Sequence, residues 1–283
     1  MNYRHIYHAG NFADVLKHVV LTRIVEYMKR KDKAFRVIDT HAGTGLYDLS
    51  SEEAQKTGEW LHGIGRLVEE ELSTEQQKLL EPYLSAVEVL NPEGGIRHYP
   101  GSPRIVRHLL RNQDRLSAIE LHPVDVETLR QHFAGDFQAR IIELDGWLAL
   151  GAHVPPKEKR GLVLIDPPFE KPNEFDRLVN GLARAHKRWA GGTYVLWYPI
   201  KDLAAVKAFR EKLRNLDIAR VADVSLMIRR PGPEPKLDGT GMIVVNPPFT
   251  LEVEMNALLP LLSRVLALGP GAAGKFEWLV GEE

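Results

Sequence analysis

Four short apolar runs in this chain each stop at a carboxylate, and that repetition constrains the fold more than any other feature. FRVIDT (35–40) carries Asp39 and runs into HAGTG; LSAIEL (116–121) carries Glu120; ARIIELD (139–145) ends at Asp145; GLVLIDPPF (161–169) reaches Asp166. Runs this short and rich in β-branched residues read as buried strands. Helical patterns lie between and after them, at 124–133 and at 173–190, the latter with Phe175, Leu178, Val179, Leu182 and Trp189. TYVLWYP (193–199) is a further strand, followed by a basic helix over 201–215. Such alternation specifies an α/β domain with a mostly parallel sheet. VADVSLMI (221–228) and GMIVVNPP (241–248) have only the polar loop RRPGPEPKLDGT between them. A parallel pair needs a crossover, so one member of this closing pair is expected to be antiparallel. A last helix is predicted over about 251–268.

Upstream, residues 10–31 read as a helix with Val15, Val19, Val20, Ile24 and Met28 on one stripe and Asn11 as a candidate cap. In a simple doubly wound unit, the acidic residue ending the second strand lies about 20 residues past the Gly-rich loop. Glu120 is much farther from Gly45. The excess, 51–100, is acidic and helical in pattern, and NPEGG breaks it. In YPGSP, Ser102 is a candidate cap for a helix holding Ile105, Val106, Leu109 and Leu110. The expected organisation is one domain over 1–283, with a helical arm at 1–34 and a helical insertion at 51–100.

At 283 residues and 44% hydrophobic, the chain has the material for a packed core, which excludes wholesale disorder. No apolar run approaches the ~20 residues of a membrane helix. MNYRHIYHAG has no apolar segment of a secretory leader, so a cytoplasmic location is expected. The absence of cysteine excludes disulfides, thiolate metal sites and a cysteine nucleophile. A net charge of −1 gives no global argument for a nucleic-acid partner, yet 1–36 is basic and 52–93 acidic, so opposite faces can hide in the total. No apolar heptad demands a partner, and a monomer is expected.

Ligands of doubly wound sheets bind outside the carboxyl ends of the strands. The residues collected there are Asp39, His41, Gly43, Gly45, Glu120, Asp145, Gly146 and Asp166-Pro167-Pro168-Phe169. The glycine loop lacks the G-x-G-x-x-G spacing of a dinucleotide site. Glycines there let backbone approach a ligand, and Glu120 suits the two hydroxyls of a ribose. S-adenosylmethionine has a ribose but no pyrophosphate. The Asp-Pro-Pro-Phe turn is sharper. Prolines stiffen it and present carbonyls without competing N–H groups. A carboxylate beside such a carbonyl can accept both hydrogens of an exocyclic amine, and the aromatic ring offers a stacking face. Asn246-Pro247-Pro248-Phe249 has nearly the same form but is placed near the sheet edge, far from the glycine loop, and reads as a structural turn. Tyr3, His5, Tyr7, His8, Lys17 and His18 crowd the N-terminus, either as ordinary solvated surface residues or as an aromatic and cationic lip suited to RNA. No metal is expected, because no further ligands accompany these histidines.

These stretches carry a resemblance. YRHIYHAGNFADVLKH (3–18), DTHAGTG (39–45), YPGSP (99–103), ELHP (120–123), LDG (144–146), LIDPPFE (164–170), LWYPI (196–200) and GTGMIVVNPP (239–248) make the chain similar to the RlmJ family, bacterial enzymes that methylate N6 of one adenine in 23S ribosomal RNA. Phe169 stands where the family often has tyrosine, so a hydroxyl is lost while stacking is kept. The resemblance implies a Rossmann-like class I methyltransferase with a mostly parallel seven-stranded sheet. It implies S-adenosylmethionine contacts at His18, His41, Gly43, Ser102, Glu120, Asp145, Gly146 and Asp166. Tyr3, His5, Lys17 and Phe169 are implied on the RNA side, and Asp166, Pro167 and Phe169 in catalysis. The same chemistry on DNA adenine is the alternative, which the N-terminal match disfavours.

Overall fold

The structure is a computed structural model and describes residues 4–232 and 234–281. A 3-10 turn (His5–Tyr7) leads into α1 (Phe12–Lys29). Asn11 caps this helix, its Oδ1 accepting the N–H groups of Ala13 and Asp14. The predicted stripe is buried, but so are Asp14, Lys17, His18 and Arg23. The basic N-terminal region is therefore not simply a solvated face: Arg23 Nε donates to Glu254 at 2.9 Å, and Lys17 is held inside the molecule.

The elements after α1 are β1 (Arg36–Asp39), β2 (Leu46–Asp48), α2 (Glu52–Thr57), α3 (Ile64–Val68), α4 (Thr74–Glu88), β3 (His98–Pro100), α5 (Ser102–Leu109), β4 (Arg115–Glu120), α6 (Pro123–His132), β5 (Ala139–Glu143), α7 (Gly146–Ala152) and β6 (Gly161–Ile165). Then come α8 (Glu174–Arg188), β7 (Thr193–Ile200), α9 (Leu203–Arg214), β8 (Val221–Met227), β9 (Gly239–Val245), α10 (Leu251–Val265) and β10 (Ala273–Val280). The main sheet has eight strands in the order β10-β8-β9-β7-β6-β1-β4-β5, with β2 and β3 pairing separately. Five neighbours, β7-β6-β1-β4-β5, are parallel. β9 runs antiparallel to both β7 and β8.

Alternate residues of each strand face opposite layers, as the pleat requires. On β6, Leu162 and Leu164 join a core built from α1, α4, α5 and α10, whereas Val163 and Ile165 join one built from α7, α8 and α9. No helix among the described residues is long and apolar enough to cross a membrane.

Two expectations are corrected, the strand count and the cap of α5. The sheet has eight strands, not seven: β10 pairs antiparallel with β8, and its sequence AGKFEWLV hid it, because an edge strand alternates charge and apolar residues weakly. The acidic stretch is helical, as its pattern reads, but divided into short elements. Gly58 ends α2 in the left-handed region, a 3-10 turn (Glu59–His62) follows, and a Ser73/Gln76 capping box starts α4. Ser102 is the first residue of α5 rather than its cap; Gly101 occupies the cap position, and the serine hydroxyl is turned elsewhere.

Candidate functional site

The parallel strands end at one edge of the sheet, and a cavity of about 430 Å³ opens there. Residues from every strand end line it: His41 and Gly43 after β1, Glu120 at the end of β4, Asp145 and Gly146 after β5, Asp166 to Phe169 after β6, and Lys201 after β7. Because β9 begins opposite the end of β7, Gly239 pairing with Ile200, the loop before β9 also reaches the cavity with Lys236 and Leu237.

The Glu120 carboxylate is built into backbone. Gly43 N–H donates to one oxygen at 2.8 Å, and Leu121 and His122 N–H donate to the other, each at 2.8 Å. Burial nonetheless pushes its pKa up, since the three N–H bonds only partly offset lost hydration. Asp145 caps α7, accepting Trp147 N–H at 2.7 Å. Gly146 permits a close approach: a Cβ there would lie 2.3 Å from the Thr40 carbonyl and 2.9 Å from the His41 ring.

The His41 tautomer follows from its neighbour. Thr40 Oγ1 donates to Leu164 O at 2.9 Å, so its oxygen accepts from His41 Nδ1–H, also at 2.9 Å. Burial pulls His41 down to about 4, which keeps the ring neutral with Nε2 unprotonated beside Gly146. His18 is likewise neutral, lowered by burial to about 3. Its Nδ1 shares a 2.7 Å hydrogen bond with Tyr99 OH, which meets Tyr83 OH at 2.8 Å, while the buried Nε2 has no partner and borders the cavity. Ser102 Oγ donates to Asp39 Oδ2 at 2.6 Å. Asp39 is wholly buried, and burial pushes its carboxyl up to about 7 despite that hydrogen bond.

Across the cavity, Lys17 Nζ donates to Asp166 Oδ2 at 2.6 Å. Phe169 adopts φ +52°, the left-handed region that a bulky residue enters only under constraint. T-shaped contacts with Phe175 and Trp197, at centroid distances of 5.0 and 5.6 Å, hold its ring. His5, Lys17, His18, His41, Gly43, Ser102, Glu120, Asp145, Gly146, Asp166, Pro167 and Phe169 all line this one cavity; Tyr3 lies outside the described residues.

Asn246 is elsewhere, for a reason different from the one expected. β9 lies inside the sheet between β7 and β8, not at its edge, but runs backwards, so Asn246 sits at the start of β7 on the opposite side. Its side-chain amide donates to Ala190 O and Gly192 O, each at 2.8 Å, which makes it a structural turn. Sequence reasoning missed Asp14, which binds Lys17 Nζ at 2.7 Å, and the rim residues Arg177, Lys201 and Lys236. The available signal was charge in α1, where acidic and basic residues interrupt a largely buried helix and so need partners.

A parallel α/β sheet in the order 3-2-1-4-5 for its first five main strands, extended by antiparallel strands and carrying a nucleoside-sized cleft at its carboxyl edge, is the Rossmann-like fold of class I methyltransferases. The family described as "Ribosomal RNA large subunit methyltransferase D, RlmJ" matches residues 32–280. The chain is 44% identical to ribosomal RNA large subunit methyltransferase J of Escherichia coli and 40% identical to that of Haemophilus influenzae, in both cases over 100% of each chain. Its fold superposes on protein LPL1258 of Legionella pneumophila with a TM-score of 0.87 and 33% identity, covering 96% of this chain and 98% of that one. The chain belongs to the RlmJ family.

Proposed function

We propose that the chain transfers the methyl group of S-adenosylmethionine to the N6 amine of an adenine in 23S ribosomal RNA. The observation that carries this reading is the Asp166-Pro167-Pro168-Phe169 turn, which opens on the same cavity as Glu120 and the glycine loop and has its carboxylate held by a buried lysine.

The cavity walls fit the cofactor. Glu120 presents a carboxylate suited to a ribose diol, the unpartnered His18 Nε2 offers a buried polar contact, and Gly43 and Gly146 line the same wall. Ser102 gives its proton to Asp39, so its oxygen is left as an acceptor suited to an ammonium group. When bound, the cofactor supplies an electrophilic sulfonium methyl.

The protein's own work is positioning. The adenine is flipped out of its stack, since a base edge inside a helix is out of reach. Phe169 stacks on it. Lys17 occupies Asp166 Oδ2, which leaves Oδ1 and the Pro167 carbonyl for the two N6 hydrogens. Hydrogen bonds to both draw the nitrogen lone pair out of conjugation and aim it at the methyl group. The proton released after transfer passes to Asp166. Much of the acceleration comes from fixing the two reactants in line.

The test is methyl transfer from labelled S-adenosylmethionine to unmodified large-subunit ribosomal RNA, with the modified nucleoside mapped. N6-methyladenosine at one site is the expected result. Label in duplex DNA and none in RNA would overturn the substrate assignment.

A further inference from the structure

We propose that Asp14 is a positioning residue for this reaction: its buried carboxylate fixes the Lys17 ammonium against Asp166 and ties the N-terminal turn to the same point through His5. The inference rests on Asp166 being the group that receives the N6 proton. Asp14 is 2% exposed. Oδ1 meets Lys17 Nζ at 2.7 Å; Oδ2 accepts from His5 Nε2 and from Gly10 N–H, both at 2.9 Å. Lys17 then reaches Asp166 at 2.6 Å. One carboxylate thus joins the turn before α1, the 3-10 turn and the turn after β6. A lysine ammonium on a flexible stem has many rotamers, and a single partner does not select one. The second anion does, and it keeps Lys17 from swinging across the oxygen that faces the amine.

The groups facing Lys17 are Asp14 and His18 on α1, His5 on the 3-10 turn, Asp166 after β6, Asp39 at the end of β1, Tyr47 on β2 and Tyr83 on α4. Burial alone would lower the Lys17 ammonium, but Asp14 and then Asp166 outweigh it and hold it well above its ordinary value. Asp14 itself would be raised by burial, yet His5 and Lys17 hold it well below the usual carboxylate range. Taking the charge from Asp14 therefore lets Lys17 lose its proton at lower pH.

The experiment is the pH profile of methyl transfer to ribosomal RNA by the full chain and by Asp14→Asn. The expected result is a fall in kcat of about 10- to 100-fold, with the alkaline limb moved down by roughly one pH unit or more. An unchanged kcat and profile would overturn the proposal. Nitrogen NMR of the lysine ammonium groups in the wild-type chain decides the matter even if the variant does not fold. With the Lys17 signal assigned by its loss in Lys17→Arg, Lys17 is expected to stay protonated at pH values where surface lysines titrate; titration alongside them refutes the pairing. A wild-type chain that methylates no RNA would instead strike the functional reading, with the NMR result still deciding what Asp14 does to Lys17.

Discussion

Replacing Asp166 with alanine removes both the proposed acceptor for an N6 hydrogen and the anionic partner of Lys17, leaving that ammonium with Asp14. Turnover is expected to fall by at least about 10²-fold, measured as labelled methyl incorporated into RNA. Asn246→Ala is the contrast: it loses two side-chain bonds to backbone carbonyls on the far side of the sheet. It should cost about 1–3 kcal/mol of stability while leaving methylation per folded molecule unchanged. If the asparagine variant were the dead one, the roles of the two turns would be reversed. Asp39 makes a separate prediction. Its carboxyl titrates near 4 in an unfolded chain but at about 7 in the fold, where burial dominates and the nearby Asp166 adds to it. Between those values the folded protein keeps a proton that the unfolded chain releases. The contribution is therefore complete below about pH 4 and lost as pH rises through about 7. Relative to Asp39→Asn, the ligand-free wild type should lose up to about 4 kcal/mol across that range, read from denaturant unfolding at each pH.

Secondary-structure elements matter here through their ends. The N-terminus of α7 is pressed against the residues after β1, and Gly146 is the point of contact. Gly146→Ala places a methyl against the Thr40 carbonyl, which belongs to backbone and does not swing aside. A loss of about 1–3 kcal/mol is expected, seen as a lower melting temperature, together with weaker S-adenosylmethionine binding by calorimetry because His41 must move as well. A stable variant with unaltered affinity would show that α7 can shift without disturbing the cleft. Strands and helices were largely legible because their periodicity is local: the boundaries of α1, α6, α8 and α9 fall within about two residues of those read from the apolar pattern. β10 and the breaks inside the helical acidic stretch were not, since pairing at a sheet edge and capping at Gly58 and Ser73 override a weak pattern.

Seen whole, the chain has a net charge of −1, yet Lys171, Lys201 and Lys236 stand exposed around the cavity mouth, brought from three separate loops. If they meet phosphates flanking the target adenine, each Lys→Gln change should reduce the slope of log affinity against log salt by about 0.7. Equilibrium binding of single-stranded ribosomal RNA fragments across a salt series measures this, and a slope unaltered in all three variants would place the RNA elsewhere. The N-terminal basic cluster contributes less than its composition suggests, because Lys17 and Arg23 are consumed in internal ion pairs.

Sequence alone determined the strand-end residues. A short apolar run ending in Asp, Glu or Gly is a local pattern, and in a parallel sheet all such ends come to one edge, so Glu120, Asp145, Gly146 and Asp166 were identifiable before any coordinate was known. What only the tertiary structure decided are the relations between distant segments. Lys17 and Asp166 are 149 positions apart and share no pattern. Asp14 finds its three partners close by, at His5, Gly10 and Lys17, but only the fold sets Lys17 against the turn after β6 and so links Asp14 to it. Asn246 is separated from the cleft by the direction of β9, which a hydrophobic run does not encode. Side-chain periodicity reports which face of an element is covered; charge pairing and strand direction depend on what covers it.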